Sequence, residues 1–293
     1  MQKQLTLKNK ETISYYDLGS GDKTLLLIHG NTSSSIFFEP LFKTLPKDLR
    51  IIAPDLRGFG NSSYLNKFDS LLELAEDLKL LLDDLELKKV NVLGWSLGGG
   101  VALELASTYP DVVDKLILLS SASVKGYPIF KKDETGKPII PEIYKSKEEL
   151  ALDFVQVLPI LNAQQNNDLN FYKFIYDAAI YNGKNKPDDS DNERWLKEAI
   201  KQKNLVDVDW ALTNLNITNE PSFYNLGSNK VKNINHDVLI IWGEKDLTVP
   251  RFMVDENLRF IPQAKLITFK EAGHSLLVDE LDELTNNIIN FIK

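Results

Sequence analysis

VNVLGWSLGGGVALELA, residues 90–106, sets four glycines and one serine between a run of β-formers and a run of helix-formers. VNVLG (90–94) reads as a buried strand, and VALELASTYP as a helix stopped by Pro110. Ser96 falls at the turn between them, inside GWSLG (94–98). That stretch matches GxSxG, the pattern in which a serine sits on a sharp strand-to-helix turn with its hydroxyl exposed above a sheet. The glycines have a physical reason. A residue held at positive φ brings the residues two places to either side into close contact, so Gly94 and Gly98 relieve clashes that any Cβ would create. The helix beyond Ser96 aims its N-terminal amides and positive dipole end at the place where an oxyanion would form. A glycine-rich turn that only permits close helix packing is the plainer alternative, and the flanking strand and helix favour the reactive reading.

Working outward, short apolar β-rich runs alternate with amphipathic helical patterns, the signature of βαβ units and a mostly parallel sheet. LTLKN and TISYYDLG read as an opening pair of strands, TLLLIHG (24–30) as a central strand, and RIIAPDLRGFG (50–60) as a strand running into a glycine-rich loop. Phe37, Phe38, Leu41, Phe42 and Leu45 recur at helical spacing. SLLELAEDLKLLLDDLEL opens with a capping box, Ser70 and Glu73, and puts Leu71, Leu74, Leu78, Leu81 and Leu85 on one stripe. VVDKLILLS (112–120) is one more strand. The rhythm then breaks. Residues 121–235 show no strand alternation, only helical or irregular stretches, and are predicted to be an inserted helical cap. Within them NGKNKPDDSDNE (182–193) is the predicted mobile surface loop. The core pattern resumes at DVLIIWGEKD (237–246), with a helix near Arg251 to Phe260, the strand-to-loop stretch AKLITFKEAGH (264–274) and a closing helix through Leu281, Leu284, Ile288 and Phe291. The core is therefore expected over 1–120 and 236–293.

A serine hydroxyl is a poor nucleophile at neutral pH, so it needs a base, and the base needs an orienting acid. The chain holds three histidines. In open α/β sheets ligands bind at the carboxyl ends of the strands. His274, after the last strand, meets that requirement, whereas His236 precedes its strand and reads as a surface residue. Asp246, in the loop after DVLIIWG, is the predicted acid, with Glu244 two residues away as the fallback. The resulting chain order is Ser96, Asp246, His274, the order of triads built on a nucleophile elbow.

Composition narrows the classes of function. Lys and Arg number 34 against 42 Asp and Glu, giving a formal charge of −8 without a basic cluster to neutralise phosphates, so nucleic acid is not an expected partner. No cysteine is present, which excludes disulfides and thiolate metal sites and fits a reducing compartment. Dispersed histidines without HExxH leave no expected metal site, and no GxGxxG or GxxxxGK[ST] supports a nucleotide, so no cofactor is expected. The N-terminus lacks the apolar region of a signal peptide and no stretch approaches a bilayer span; a cytoplasmic location without membrane insertion is the expectation.

HGN (29–31), DLRGFGNS (55–62), GWSLGG (94–99), WGEKDLTVP (242–250) and GHS (273–275) together resemble the α/β-hydrolase superfamily. The resemblance implies an α/β fold with a mostly parallel eight-stranded sheet flanked by helices and a helical cap after strand six. It also implies an oxyanion hole formed by the backbone amides of Asn31 and Leu97, a structural role for His29, and loop-fixing roles for Asp55, Arg57 and Gly58. Serine in place of aspartate at the elbow disfavours the dehalogenase and epoxide-hydrolase branches.

The expected partner is a small-molecule ester, and specificity is expected from the cap. Phe171, Tyr172 and Tyr176, in an aromatic-rich helical stretch, and Trp95, beside the nucleophile, are the candidate substrate-binding residues; packing of the cap against the core is the competing reading for each. Trp242, beside the acid loop, carries the same two readings. GWSLGG resembles the elbow of pimeloyl-carrier methyl-ester esterases, although the cap lacks an arginine cluster. The tryptophan-containing elbow, SVKGYPIFKKDETGKPI (123–139) and NLVDVDWALTNLNI (204–217) resemble intracellular short-chain polyhydroxyalkanoate depolymerases. Leu97 departs from those depolymerases, but the oxyanion contact uses only its backbone. That second resemblance implies hydrolysis of short-chain or 3-hydroxyacyl esters. A C–C bond hydrolase and a non-catalytic ligand receptor on the same fold are the remaining alternatives.

Overall fold

A computed structural model describes all residues, 1–293. In chain order the strands are β1 (Lys3–Thr6), β2 (Thr12–Leu18), β3 (Thr24–Ile28), β4 (Arg50–Pro54), β5 (Val90–Trp95), β6 (Val113–Leu119), β7 (Phe130–Lys132), β8 (Pro138–Ile143), β9 (Asp237–Gly243) and β10 (Lys265–Phe269). The helices are α1 (Glu39–Thr44), α2 (Leu71–Asp84), α3 (Leu97–Thr108), α4 (Lys147–Ala151), α5 (Leu158–Asn166), α6 (Leu169–Ile175), α7 (Asp189–Ala199), α8 (Leu205–Asn214), α9 (Arg251–Phe260), α10 (Leu276–Asp279) and α11 (Leu281–Ile292).

Eight strands form one sheet in the order β1-β2-β4-β3-β5-β6-β9-β10. The β1-β2 and β2-β4 pairs are antiparallel, and every pair from β4 to β10 is parallel. This is the α/β-hydrolase arrangement implied by the motifs. The central strands are apolar along their whole length because both sheet faces are covered. Leu26, Ile28, Leu116, Leu118, Val238 and Ile240 feed the cluster that includes α2 and α3, whereas Leu25, Leu27, Ile117, Leu119, Leu239 and Ile241 feed the one that includes α11. The leucine stripe of α2 is buried at Leu71, Leu74, Leu78 and Leu81, and Glu73 accepts a hydrogen bond from the Ser70 amide at 3.3 Å.

Three local expectations are corrected. The spacing of Phe37 to Leu45 is split between a 3₁₀ turn, Ser35–Phe38, and the short α1, which begins at Glu39 and holds Pro40 in its first turn, where proline is suited. Between β6 and β9 the chain is not purely helical: β7 and β8 pair antiparallel around a turn in which the Asp133 carboxylate accepts from the Thr135 and Lys137 amides at 2.8 and 3.1 Å. The predicted loop 182–193 ends early. Asp188 accepts from the Asp191 amide at 2.8 Å and caps α7, so Asp189 to Glu193 are helical.

Candidate active site

β5 ends at Trp95, and α3 begins at Leu97, leaving Ser96 alone to make the turn at φ 57°, ψ −118°. That conformation is strained for a residue with a Cβ. It is held by hydrogen bonds on both sides: the Ser96 amide donates to Leu119 O at 3.0 Å, and its carbonyl accepts from the amides of Gly99 and Ala122 at 3.0 and 3.1 Å. A Cβ on Gly94 would enter the carbonyl of Gly98 across the elbow, as expected, whereas one on Gly98 would enter the carbonyl of Ile28 on β3.

The loops after β9 and β10 bring Asp246 and His274 together. His274 Nδ1 lies 3.0 and 2.9 Å from the two Asp246 oxygens, with both side chains buried. The Thr248 and Val249 amides each donate to Asp246 Oδ1 at 2.8 Å, so the carboxylate is oriented before it meets the ring. Two tryptophans clamp these loops: Trp95 Nε1 donates to His274 O at 3.1 Å, and Trp242 Nε1 donates to Val249 O at 2.9 Å. Asp279 adds a third clamp by accepting from the Gly273 amide at 2.8 Å. Ser96 and His274 line one cavity of about 380 Å³, although no hydrogen bond joins them in this structure. Such contacts often close only with substrate bound. Nδ1 is committed to Asp246, which leaves Nε2 as the ring nitrogen able to serve the hydroxyl. Glu244, the fallback acid, is exposed and takes no part.

Gly30, Asn31 and Thr32 form another wall of the cavity. The Asn31 amide has no acceptor within the protein, and the Leu97 amide heads α3, where the first N–H groups lack intrahelical partners. Both are therefore available to an oxygen. His29 supports this loop and stays outside the cavity: it is fully buried, burial pushes its pKa down, and Nε2 lies 3.0 Å from the Leu56 amide while Nδ1 lies 2.8 Å from Gly30 O. A lone pair at Nε2 and a proton at Nδ1 satisfy both contacts. Asp55 accepts from the Ser35 and Asn61 amides at 2.9 and 3.0 Å, Arg57 pairs with Asp77 at 2.7 Å, and Gly58 takes φ +80° against Asn204. His236 sits far from this chemistry, with Nε2 2.9 Å from Pro110 O.

Trp95, Phe171 and Tyr176 line the cavity, and the Tyr176 hydroxyl also donates to Thr32 O at 2.6 Å. Tyr172 is corrected. It is fully buried, turned toward α5, where its hydroxyl accepts from Gln164 at 3.0 Å, and it does not line the cavity. Phe171 and Ile175, four positions apart on α6, face the cavity, whereas Tyr172 lies on the side of that helix that packs against α5; a π-helical turn, Tyr176–Ile180, follows.

Asp209, on α8, was not singled out by its sequence, yet it lines the same cavity at 7% exposure. Its Oδ1 accepts from Asn31 Nδ2 at 2.9 Å. Burial pushes its pKa up to about 8, against the hydrogen bond from Asn31 and with a smaller push from Asp153. Tyr127, nearby, is pushed up to about 12 by burial and by the charges of Asp209 and Asp246. A sequence signal did exist: Asp209 stands within a helix whose Val208, Ala211 and Leu212 are all core residues. No lysine or arginine lines the cavity.

The sequence model of the alpha/beta hydrolase fold matches residues 23–281. A 2-hydroxy-6-oxononadienedioate/2-hydroxy-6-oxononatrienedioate hydrolase of Pseudomonas putida is 25% identical over 294 residues, covering 96% of this chain and 91% of that protein. The dihydrolipoyllysine-residue acetyltransferase component of the acetoin cleaving system of the same species is also 25% identical over 96% of this chain, which spans only 66% of that longer protein. Among solved structures, an esterase from Exiguobacterium antarcticum superposes with a TM-score of 0.76 at 22% identity, covering 100% of this chain and 99% of its own.

Proposed function

The chain belongs to the alpha/beta hydrolase fold family, and from that premise we propose that it is a serine hydrolase cleaving uncharged carboxylic esters, short-chain or 3-hydroxyacyl, through an acyl-enzyme. The observation that carries this reading is the oriented His274–Asp246 pair opening onto the same cavity as the strained Ser96. His274 takes the Ser96 proton as Oγ attacks the carbonyl carbon, and Asp246 holds the imidazole tautomer and offsets its charge. The amides of Asn31 and Leu97 stabilise the oxyanion, each contributing on the order of 10²- to 10³-fold in rate. The alcohol leaves with the proton from His274. Water activated by the same imidazole then releases the acid. Residues 121–235 act as the cap that covers the acyl chain.

The cavity supports the substrate class in two ways. Its volume of about 380 Å³ lies near the lower end of the roughly 300–1,000 Å³ usual for ligand sites, which suits a short acyl chain. Its lining offers no cation to a carboxylate-bearing substrate. That second point speaks against carrying over the dioate substrates in the name of the Pseudomonas putida hydrolase, because a desolvated carboxylate without a partner is costly. A panel of p-nitrophenyl esters from acetate to decanoate tests the reading: kcat/KM is expected to peak at short acyl lengths and to vanish in Ser96→Ala. Fastest turnover of the decanoate, or unchanged turnover in Ser96→Ala, would contradict it.

A further inference from the structure

Asp209 is a buried carboxyl group whose role the triad chemistry leaves unexplained. Its single hydrogen bond comes from Asn31 Nδ2, and its other oxygen has no protein partner. The orientation of the Asn31 amide is fixed by its neighbours. Asn31 Oδ1 accepts from the Thr32 amide at 2.9 Å and from Gln202 Nε2 at 2.8 Å, so the NH₂ must be the end that faces Asp209. Gln202 is itself held, with Nε2 2.9 Å from Asn204 Oδ1 and Oε1 3.1 Å from the Thr32 amide. This relay binds α8 to the loop whose backbone amide at Asn31 is available to an oxyanion, so Asp209 stands one side chain away from the carbonyl-binding position.

Resting on the esterase reading above, we propose that Asp209 determines specificity by hydrogen-bonding a hydroxyl group on the acyl chain close to the ester carbonyl, making short hydroxyacyl esters the preferred substrate class. Three features support this. The free oxygen of Asp209 borders an otherwise largely apolar cavity, with Ile175, Ile180 and Leu212 among its walls. The hydrogen bond from Asn31 ties Asp209 to the residue beside the oxyanion position, so a hydroxyl near the carbonyl is the one it is placed to meet. Burial holds the carboxyl proton at neutral pH, so Oδ1 can accept from Asn31 while Oδ2–H donates to the hydroxyl oxygen. An unsubstituted acyl chain would leave that donor buried and unpaired, which is how a polar pocket discriminates against an analogue that lacks the matching group.

The test compares methyl butyrate with the two enantiomers of methyl 3-hydroxybutyrate by acid release, in the full-length protein and in Asp209→Asn and Asp209→Leu. Wild type is expected to prefer one enantiomer over butyrate by roughly ten-fold in kcat/KM, the scale of one hydrogen bond. Asp209→Leu should bring that ratio close to one. Asp209→Asn, which keeps a donor in the same place, should retain most of it. If Asp209→Leu does not fold, Asp209→Ala serves the same comparison. Equal kcat/KM for butyrate and both enantiomers in wild type, or a preference that survives in Asp209→Leu or Asp209→Ala, would overturn the role of Asp209 while leaving the esterase reading intact. Cleavage of none of the three methyl esters together with inactivity on p-nitrophenyl esters would overturn both.

Discussion

Ser96 occupies a backbone conformation that only its surroundings can enforce, and the two glycines beside it are the residues that make it possible. The same economy holds at Asp246. Because the Thr248 and Val249 amides require an oxygen at Oδ1, an Asp246→Asn variant would be forced to present its NH₂ to His274 Nδ1. The ring would then carry its proton on Nε2 and could not accept one from Ser96. That substitution is expected to lower kcat by about 10⁴-fold with the fold retained, as read from ester hydrolysis beside circular dichroism; a loss below ten-fold would mean that Asp246 does not set the tautomer. The strand-end positions of Ser96, Asp246 and His274 were legible because each sits in a short motif of its own. Asp209 was not, because only folding brings α8 against Asn31, 178 positions earlier in the chain. Tyr172 was misplaced because the aromatic run around it does not show which of its side chains face the cavity and which face α5.

At the level of elements, the long βαβ units were readable from their apolar strands and leucine stripe, whereas the β7-β8 hairpin was hidden by its brevity and by Pro138 and Pro141, which argue against strand. What holds the hairpin is a buried ion pair. Lys132 Nζ lies 2.7 Å from Asp153 Oδ2, the two side chains being 4% and 0% exposed, and Tyr144 donates to the same oxygen at 2.8 Å. Burial opposes the Asp153 charge, but Lys132, Tyr144 and the Gln156 and Val155 amides hold its pKa below the ordinary value. Removing the cation leaves that carboxylate uncompensated. Lys132→Met should therefore destabilise by about 3 kcal/mol in denaturant unfolding. It should also raise KM more than it lowers kcat, because Val155 and Gln156, adjoining Asp153, line the cavity. An unchanged midpoint and KM would show that the hairpin does not depend on this pair.

Across the whole molecule, opposing carboxylates shape stability against pH. At Asp17 burial works against the charge, but Arg50 and Lys3 hold its pKa low; at Glu11 burial is likewise outweighed by Ser63, Asn66 and Leu65. The stability these groups contribute is lost as pH falls through their depressed values. Asp209 has the opposite sign. Its folded pKa of about 8 exceeds the ordinary 3.8, so the native state holds a proton that the unfolded chain has released, and stability falls as pH rises between those values. Tm curves from pH 5 to pH 9 should show Asp209→Asn gaining on wild type as pH rises; parallel curves would mean that Asp209 ionises normally. Tyr127 and Asp153, the ionisable groups coupled to Asp209, stay in place in Asp209→Asn.

Ester hydrolysis at this site requires Ser96 to be an activated nucleophile. Incubation with a fluorophosphonate, followed by intact mass and peptide mapping, tests this directly. One adduct is predicted, on the peptide that contains Ser96, abolished in Ser96→Ala and strongly slowed in His274→Ala. An unlabelled wild-type protein, or an adduct formed equally well without His274, would contradict it.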